Sequence, residues 1–256
     1  MNEKQRNYTH NFETREFTLE IDRKICWYRQ ATLIFVLAYI LSVFFLFNLG
    51  EYFKTSSLFI RVLLSVVPME FAGIGSIFLF LFYKVERGKR AEKLGLNEKG
   101  NKTSIVKRAA KRLLFVYPVS IAITLITLTM LNLFDYVPQG NPIMKIFSKA
   151  TQPETIILLI ILATIAAPIC EEIIFRCIIF ESFNFTLNKR ISMILTSIIF
   201  ASIHMVPEQI PALFFLAIIL QKERNRTGNL YAAIAIHMLF NLTSLSLFIL
   251  ALILQK

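Results

Sequence analysis

Aspartate is scarce in this sequence of 256 residues, and several patterns on which hydrolytic sites depend are missing from it. Asp22 and Asp135 are its two aspartates, and both lie away from the middle of the apolar segments. The three cysteines form no CxxC pair and no other metal-binding spacing. The sequence also contains no GxSxG and no HExxH. These absences exclude a pair of intramembrane aspartates, a nucleophile elbow and an ordinary zincin helix.

Charge is sparse as well, and apolar residues take its place. Charged residues make up 18% of the chain and apolar residues 55%, whereas a soluble domain has about 25% and about 45–50%. Long apolar runs recur from residue 31 to the C-terminus, and about 20 such residues cross the roughly 30 Å of a bilayer core. The sequence therefore predicts an all-α fold, a polytopic transmembrane bundle of about seven helices, with six to eight as the range.

The apolar runs also predict how the chain is organised. We predict spans near 31–49, 62–83, 113–134, 155–179, 191–205, 207–221 and 230–253. The segment 1–30 is polar and has no early apolar core, so it is not a secretory signal peptide. The prediction has three parts: a polar cytoplasmic tail at 1–30, N-terminal transmembrane helices at 31–154, and a transmembrane core at 155–253.

Basic residues cluster between predicted spans. The segment 84–112 holds 11 Lys or Arg against three acids, which is typical of a cytoplasmic loop facing anionic lipid and not of a nucleic-acid-binding surface. Counting Lys and Arg along all the loops favours a cytoplasmic N-terminus, an external C-terminus and a multi-pass protein of the cell membrane. Anionic lipid at 84–112 is a predicted partner.

One of the apolar segments carries three ionisable side chains, in APICEEIIFR at 167–176. A charge at the centre of a span costs about 2.5–3.5 kcal/mol, so such residues are expected to be paired or to face a cavity. Glu172 and Arg176 are four residues apart and can form an ion pair on one helix face. Glu171 points elsewhere and has no partner close in sequence. We interpret Glu172 and Arg176 as a supporting pair and Glu171 as a candidate general base.

Two of the three histidines also lie in predicted spans. Phe200 and His204 bound the stretch FASIH, and His237 and Asn241 share a helix face in HMLFN. A single intramembrane histidine is often bonded to a neighbouring carbonyl, but three polar intrusions in one half of the chain favour a shared polar cavity. A carboxylate and an imidazole can activate water there, while a second imidazole and an amide stabilise an oxyanion.

Other chemistries fit the same residues. Glu171, His204 and His237 have the donor types of a zinc site, although no local metal-binding spacing accompanies them. A thiol pair of Cys170 with His204 is disfavoured because a buried thiol forms little thiolate. A proton relay through Glu70, Glu171 and the histidines would suit a transporter, but the sequence lacks the internal repeat common in transporters.

The motifs resemble those of a known family. EEIIFR, FASIH and HMLFN occur in that order and are similar to the EExxxR, FxxxH and HxxxN/D motifs of the CAAX protease and bacteriocin-processing (CPBP, or Abi) family. The likeness covers about residues 155–245, and the LGL at 94–96 looks like the family too. Cys177 is a departure, because the family commonly has glycine after the arginine, and we expect it to alter helix packing.

The resemblance implies an intramembrane glutamate endopeptidase that needs no cofactor. Glu171 and His204 would hold and activate water, His237 and Asn241 would line the oxyanion site, and Phe200 would support the site with the ion pair. The implied partner is a membrane-associated peptide or protein substrate, in peptide processing or bacteriocin self-immunity. A non-catalytic immunity protein and a zinc-dependent CAAX-type protease are the alternatives.

The predicted span boundaries conflict with this site in one respect. Glu171 and His204 each lie far into one of two antiparallel spans. Ideal straight helices that start at opposite faces would therefore put the two side chains near opposite surfaces, since each residue adds about 1.5 Å of depth. We expect tilt, offset or a break near Pro168 to bring them together.

Overall fold

The computed structural model describes residues 102–138 and 140–255, with isolated positions in the segment 1–101. In these ranges the chain forms helices and no strand. They are α1 Lys102–Asn132, α2 Pro142–Lys149, α3 Pro153–Asn184, α4 Lys189–Ser202, α5 Ile210–Thr227 and α6 Leu230–Leu254. The predicted tail at 1–30 and the predicted spans at 31–49 and 62–83 lie outside the described residues, apart from those isolated positions.

Three of the described helices are long and apolar enough to cross a membrane, namely Ser104–Asn132, Pro153–Asn184 and Leu230–Leu254. The all-helical class is confirmed for this part of the chain, whereas the count of about seven spans stays a prediction. Helix α4 has 14 residues and α5 has 18, so α4 is shorter than the roughly 17 residues that a span usually needs.

Helix ends follow local chemistry that the sequence carries. Asn188 caps α4 by accepting hydrogen bonds from the backbone N–H groups of Arg190 and Ile191 at 3.1 and 3.0 Å. Asn229 caps α6 in the same way, through the N–H of Tyr231 at 2.8 Å. Gly228 ends α5 at φ +64°, a left-handed conformation that glycine adopts without a Cβ clash. These caps fix two tight turns on one side of the bundle.

Helix α3 is irregular in the stretch that carries the candidate site. It contains two π-helical segments, Leu162–Ala166 and Ile173–Ile179, on either side of the α-helical Ala167–Glu172. Insertions of this kind shift the faces of a helix and are frequent at functional sites. All residues of the second segment are buried, Arg176 and Cys177 among them.

The bundle packs around α3, α5 and α6. Helix α5 contacts α4, α6 and α1, while α6 also contacts α1 and the middle of α3. A buried apolar cluster joins α3 to its neighbours, with Phe175 and Ile178 packed near Phe200 of α4 and Leu230 of α6. The loop predicted at 84–112 ends earlier than expected, because α1 already begins at Lys102.

The antiparallel pair of α3 and α4 resolves the conflict over depth. Helix α3 continues to Asn184, past the predicted end at 179, and a short turn leads to Lys189. Glu171 precedes the end of α3 by nearly the same stretch of chain as separates His204 from the start of α4. With a rise of about 1.5 Å per residue, both are about 20 Å from the same turn. They are level because the distance from the shared turn, not from each helix's own start, sets the depth.

Candidate active site

Three predicted catalytic side chains meet at one point in the bundle. Glu171 Oε2 lies 4.0 Å from His204 Nε2 and 3.8 Å from His237 Nε2. These separations exceed direct hydrogen-bond length, and a single water can bridge polar atoms at such a spacing. The structure therefore brings α3, α4 and α6 together through one carboxylate oxygen and two imidazoles.

Both imidazoles are held by their other ring nitrogen. His204 Nδ1 lies 2.7 Å from the carbonyl oxygen of Phe200, one turn earlier, and His237 Nδ1 lies 3.0 Å from Glu172 Oε1. A carbonyl or carboxylate oxygen can only accept, so each Nδ1 carries the proton that it donates. The Nε2 atoms are thereby turned toward Glu171, and in the neutral ring each Nε2 offers a lone pair there.

Glu172 and Arg176 form the ion pair that their spacing predicts. Arg176 Nε donates to Glu172 Oε2 at 2.9 Å, and both side chains have no solvent exposure. Glu172 uses its second oxygen for His237, so this carboxylate ties the arginine to the candidate site. The two terminal amino groups of Arg176 have no hydrogen-bond partner among the described residues. Its guanidinium lies 5.1 Å from the centroid of the Phe200 ring, a cation–π distance.

Phe200 is the aromatic centre of this arrangement and is fully buried. Its ring meets Phe175 edge-on at 5.1 Å, and it lies 5.0 Å from the ring of His204 and 5.8 Å from that of His237. Such contacts fix ring orientation beyond what burial alone would do. The prediction that Phe200 supports the site thus has a packing basis, since one ring contacts both histidines.

Asn241 lies one turn after His237 and reaches across to α3. Its Nδ2 donates to the carbonyl oxygen of Ala163 at 2.9 Å, inside the first π-helical segment. An asparagine amide has two N–H donors, so one remains beyond this bond. Asn241 lines the same cavity as Glu171, His204 and His237.

The cavity beside these residues has a volume of about 480 Å³, within the roughly 300–1,000 Å³ usual for ligand sites. Helix α1 forms part of its wall, through Tyr117, Ser120 and Thr124. The start of α2 and Gln209, which immediately precedes α5, also contribute to it. Sequence reasoning missed the α1 residues, because their hydroxyls are ordinary in an apolar helix.

Two cysteines lie near the site without joining the cavity. Cys170 and Cys177 are buried, and neither lines the cavity wall. The hypothesis of a catalytic thiol pair of Cys170 with His204 therefore has no geometric support. Cys177 Sγ lies 4.0 Å from an amino group of Arg224 on α5. That arginine is also paired with Glu181 at 2.8 Å, so Cys177 lies where α3 and α5 are joined.

The donor types around Glu171 can be compared with the needs of a metal ion. Among residues 102–138 and 140–255, no group of three or more His, Cys, Asp or Glu side chains is placed to hold one. The protonated Nδ1 atoms and inward-facing Nε2 atoms nevertheless match the way that metal-binding histidines are usually oriented. The donor types of the set suit zinc. The separations of 3.8 and 4.0 Å between the donor atoms are wider than those between neighbouring ligands of a tetrahedral zinc ion with bonds of about 2.0–2.1 Å.

Comparison with known proteins adds a family to this geometry. Residues 153–243 match the family model described as Type II CAAX prenyl endopeptidase Rce1-like. This segment is similar to an Rce1-like domain. The resemblance read from the three motifs is confirmed by the match, which includes every predicted catalytic residue. No curated protein and no solved structure matches the chain.

The Rce1-like family is a family of proteases, so the match supports a peptidase. Together with the three long apolar helices it indicates a membrane protein. Helix α1 lies outside the matched segment, although it forms one wall of the cavity. The Rce1-like domain therefore carries the candidate catalytic residues, and part of the surface that faces them comes from elsewhere in the chain.

Proposed function

We propose that this chain is an intramembrane endopeptidase that hydrolyses a peptide bond of a membrane-associated peptide or protein. One observation carries the proposal: the Nε2 atoms of two histidines, from two different helices, lie 3.8 and 4.0 Å from the same oxygen of Glu171. Such an arrangement suits a water held between a base and hydrogen-bonding groups. The family match supports peptide hydrolysis as the reaction.

In the proposed mechanism, Glu171 and His204 bind the water and remove its proton as its oxygen attacks the substrate carbonyl carbon. The resulting oxyanion accepts hydrogen bonds from His237 Nε2–H and from the second N–H of the Asn241 amide. Glu171 then delivers the proton to the leaving nitrogen as the C–N bond breaks. The products are a carboxylic acid and an amine, which then exchange a proton to become a carboxylate and an ammonium ion, and no covalent enzyme intermediate forms.

The role assigned to His237 requires a charged ring. Its Nδ1 proton is already donated to Glu172, so a donor at Nε2 exists only in the imidazolium. The buried carboxylate of Glu172 stabilises that cation, much as a carboxylate stabilises the imidazolium of a hydrolase triad. Glu172 thus acts in the proposal by orienting His237 through the bond to Nδ1, in addition to neutralising Arg176.

The substrate is proposed to be a peptide in membrane-peptide processing or bacteriocin self-immunity. The test compares peptides in membranes that contain wild type, Glu171→Gln or Glu154→Gln protein, identified by mass spectrometry. Glu154 is an exposed carboxylate on the same helix and is the matched control. We expect the same peptide fragments with wild type and with Glu154→Gln. With Glu171→Gln, the amount of these fragments should be at least about 100-fold lower. The same fragments from all three proteins would refute the proposal.

That experiment also separates the non-catalytic alternative. An immunity protein that acts by binding a bacteriocin or its receptor needs no general base. Protection that persists in Glu171→Gln cells at wild-type membrane levels would favour it. Protection that disappears together with the fragments would favour hydrolysis.

A zinc-dependent protease is the second candidate, and the orientation of the two histidines favours it. Glu171, His204 and His237 would hold the ion, which would lower the pKa of a bound water to about 7. The test is the zinc content of the purified protein before and after chelation, with cleavage followed in parallel. We expect activity without stoichiometric zinc. One zinc per chain, lost together with activity and restored with it, would replace the metal-free mechanism.

A further inference from the structure

The cavity has a wall that the Rce1-like domain does not provide. Tyr117, Ser120 and Thr124 of α1 line it, and their spacing of three and four residues places them on one helix face. Helix α1 ends at Asn132, before the matched segment begins at 153. A substrate lying against Glu171 would therefore also lie near residues from outside the matched segment.

Ser120 is unusual among the hydroxyl residues of α1. Thr124, Thr127 and Thr129 each donate to the carbonyl four residues earlier, at 3.0, 2.8 and 2.9 Å. The Ser120 side-chain oxygen makes no hydrogen bond within the described part of the chain, although the residue is only 3% exposed. Leaving a buried hydroxyl without a partner costs free energy. An unbonded hydroxyl on a cavity wall therefore indicates that its hydrogen-bond partner is a group of the bound ligand.

A peptide substrate brings such a partner. Away from the catalytic groups the cavity is lined mainly by apolar side chains, among them Ile121, Leu125 and Ile143. A peptide entering it gives up water around backbone N–H and C=O groups that then need replacement bonds. A serine hydroxyl can donate or accept, so it can satisfy either group.

We propose that Ser120 is a substrate-positioning residue, whose hydroxyl hydrogen-bonds a backbone peptide group of an apolar peptide lying between α1 and the catalytic residues. The inference rests on the proposed function. It adds to that function a substrate class, apolar peptides, and a residue that positions them. Because α1 lies outside the matched segment, this contact would come from a part of the chain that carries none of the candidate catalytic residues.

A structural role for Ser120 predicts the opposite change in stability. If the hydroxyl supported the fold, Ser120→Ala would lower the melting temperature. In the positioning role, Ser120→Ala removes an unpartnered hydroxyl and places a better helix former in α1. The melting temperature is then unchanged or higher, while the loss of one hydrogen bond to the substrate raises KM about 5- to 10-fold and changes kcat little. Thr127→Val is the matched control, because Thr127 does not line the cavity and its hydroxyl is bonded within the helix.

The decisive kinetic test uses a set of synthetic apolar decapeptides and, for one that is cleaved, matched analogues with single backbone amides replaced by esters. An ester lacks the N–H and is a weaker acceptor, so one analogue should lose binding to wild type. In Ser120→Ala that same ester should cause no further loss, because the bond it weakens is already gone. Equal ester penalties in the two proteins at every position, or an unchanged KM in Ser120→Ala, would overturn the proposal.

A binding readout keeps this inference separate from the proposed function. In a Cys26→Ser, Glu171→Gln background, the Ser120→Cys thiol is labelled with a methanethiosulfonate reagent with and without the same decapeptides. We expect at least one peptide to slow labelling several-fold. If a peptide protects the Ser120→Cys thiol but the protein with intact Glu171 cleaves none of the peptides, the binding role of Ser120 is supported and the proposed hydrolysis is refuted. If that protein cleaves peptides but no cleaved peptide protects the thiol, the positioning role of Ser120 is refuted and the proposed hydrolysis is not.

Discussion

Glu171 and Glu172 are adjacent in sequence and have different surroundings. Glu172 has no exposed side-chain surface and is shared between Arg176 and His237. Glu171 keeps 18% of its side-chain surface exposed and faces the cavity with the histidines. Consecutive helical positions point about 100° apart, which places one carboxylate inside the bundle and the other at the cavity. The first is suited to holding the site, and the second to reacting.

Exchanging each carboxylate for its amide separates the two roles. Glu172→Gln removes the charge that neutralises a fully buried Arg176, and breaking such a pair from one side costs about 3–5 kcal/mol. We expect Glu172→Gln to melt well below wild type in detergent and to accumulate poorly in membranes. Glu171→Gln should keep its melting temperature within a few degrees while losing cleavage.

The double variant Glu172→Gln, Arg176→Met provides the control for that comparison. It removes both charges and should recover part of the lost stability without recovering activity, because His237 still lacks its carboxylate partner. If Glu172→Gln alone melted like wild type, the buried ion pair would not be the support described here.

Much of the candidate site could be predicted residue by residue. The four-residue spacing of Glu172 and Arg176 predicts their ion pair, which is present. The partners of Glu171 could be predicted as a group, because polar residues in apolar helices must find one another. The contact of His237 with Glu172 was not predicted, since it joins positions 65 residues apart through tertiary packing. Ser120 was missed because the sequence does not show which hydroxyls bond within their own helix.

At the scale of elements, the hairpin of α3 and α4 decides whether the site exists. Apolar periodicity predicts the end of the fourth span at 179, but the helix continues through Phe180–Asn184 before turning. Those last residues are less apolar, and tertiary contacts such as Glu181 with Arg224 at 2.8 Å stabilise them. The two π-helical segments were also unforeseen, because the sequence of α3 has no local feature that requires them.

A second tertiary contact holds the segment between α1 and α2 against the turn that carries His204. Glu208 is 4% exposed and accepts hydrogen bonds from Tyr136 Oη and the Gly140 N–H, both at 2.8 Å. The chain then enters α2, and the cap residue Asn141 and the helical residue Ile143 line the cavity. Glu208 therefore links the turn that carries His204 to the segment that leads into α2.

Removing this link should loosen the cavity without touching the catalytic residues. Hydrogen bonds to a charged group contribute about 1.5–3 kcal/mol each, so Glu208→Ala should expose 133–141 to faster amide hydrogen exchange. Cleavage should weaken mainly through a higher KM. Tyr136→Phe, which removes one of the two bonds, should show a smaller effect in the same direction. Unchanged exchange in Glu208→Ala would mean that the segment is held by other contacts.

At the scale of the whole molecule, basic residues gather at one end of the bundle. Glu223 near the end of α5 is almost fully buried and pairs with Arg112 of α1 at 3.3 Å and Arg226 at 2.8 Å. The hydrogen bond to Glu223 raises the pKa of Arg226 above its usual value. His237 lies two turns, or about 10 Å, beyond the start of α6 at this end. The candidate site therefore lies about 10 Å from this end along α6 and about 20 Å from it along α3 and α4, whose connecting turn lies at the same end.

The basic end is predicted to face the cytoplasm, as positively charged ends of membrane helices usually do. Single cysteines in a Cys26→Ser background can report this, because Cys170 and Cys177 are buried. Thr186 is exposed in the turn between α3 and α4 at the basic end, and Ser148 is exposed near the end of α2, on the side where Glu208 holds the preceding segment. With a membrane-impermeant maleimide, we expect Ser148→Cys to be labelled on intact cells and Thr186→Cys only after permeabilisation. The reverse labelling pattern would invert the orientation and place the basic end on the outer face.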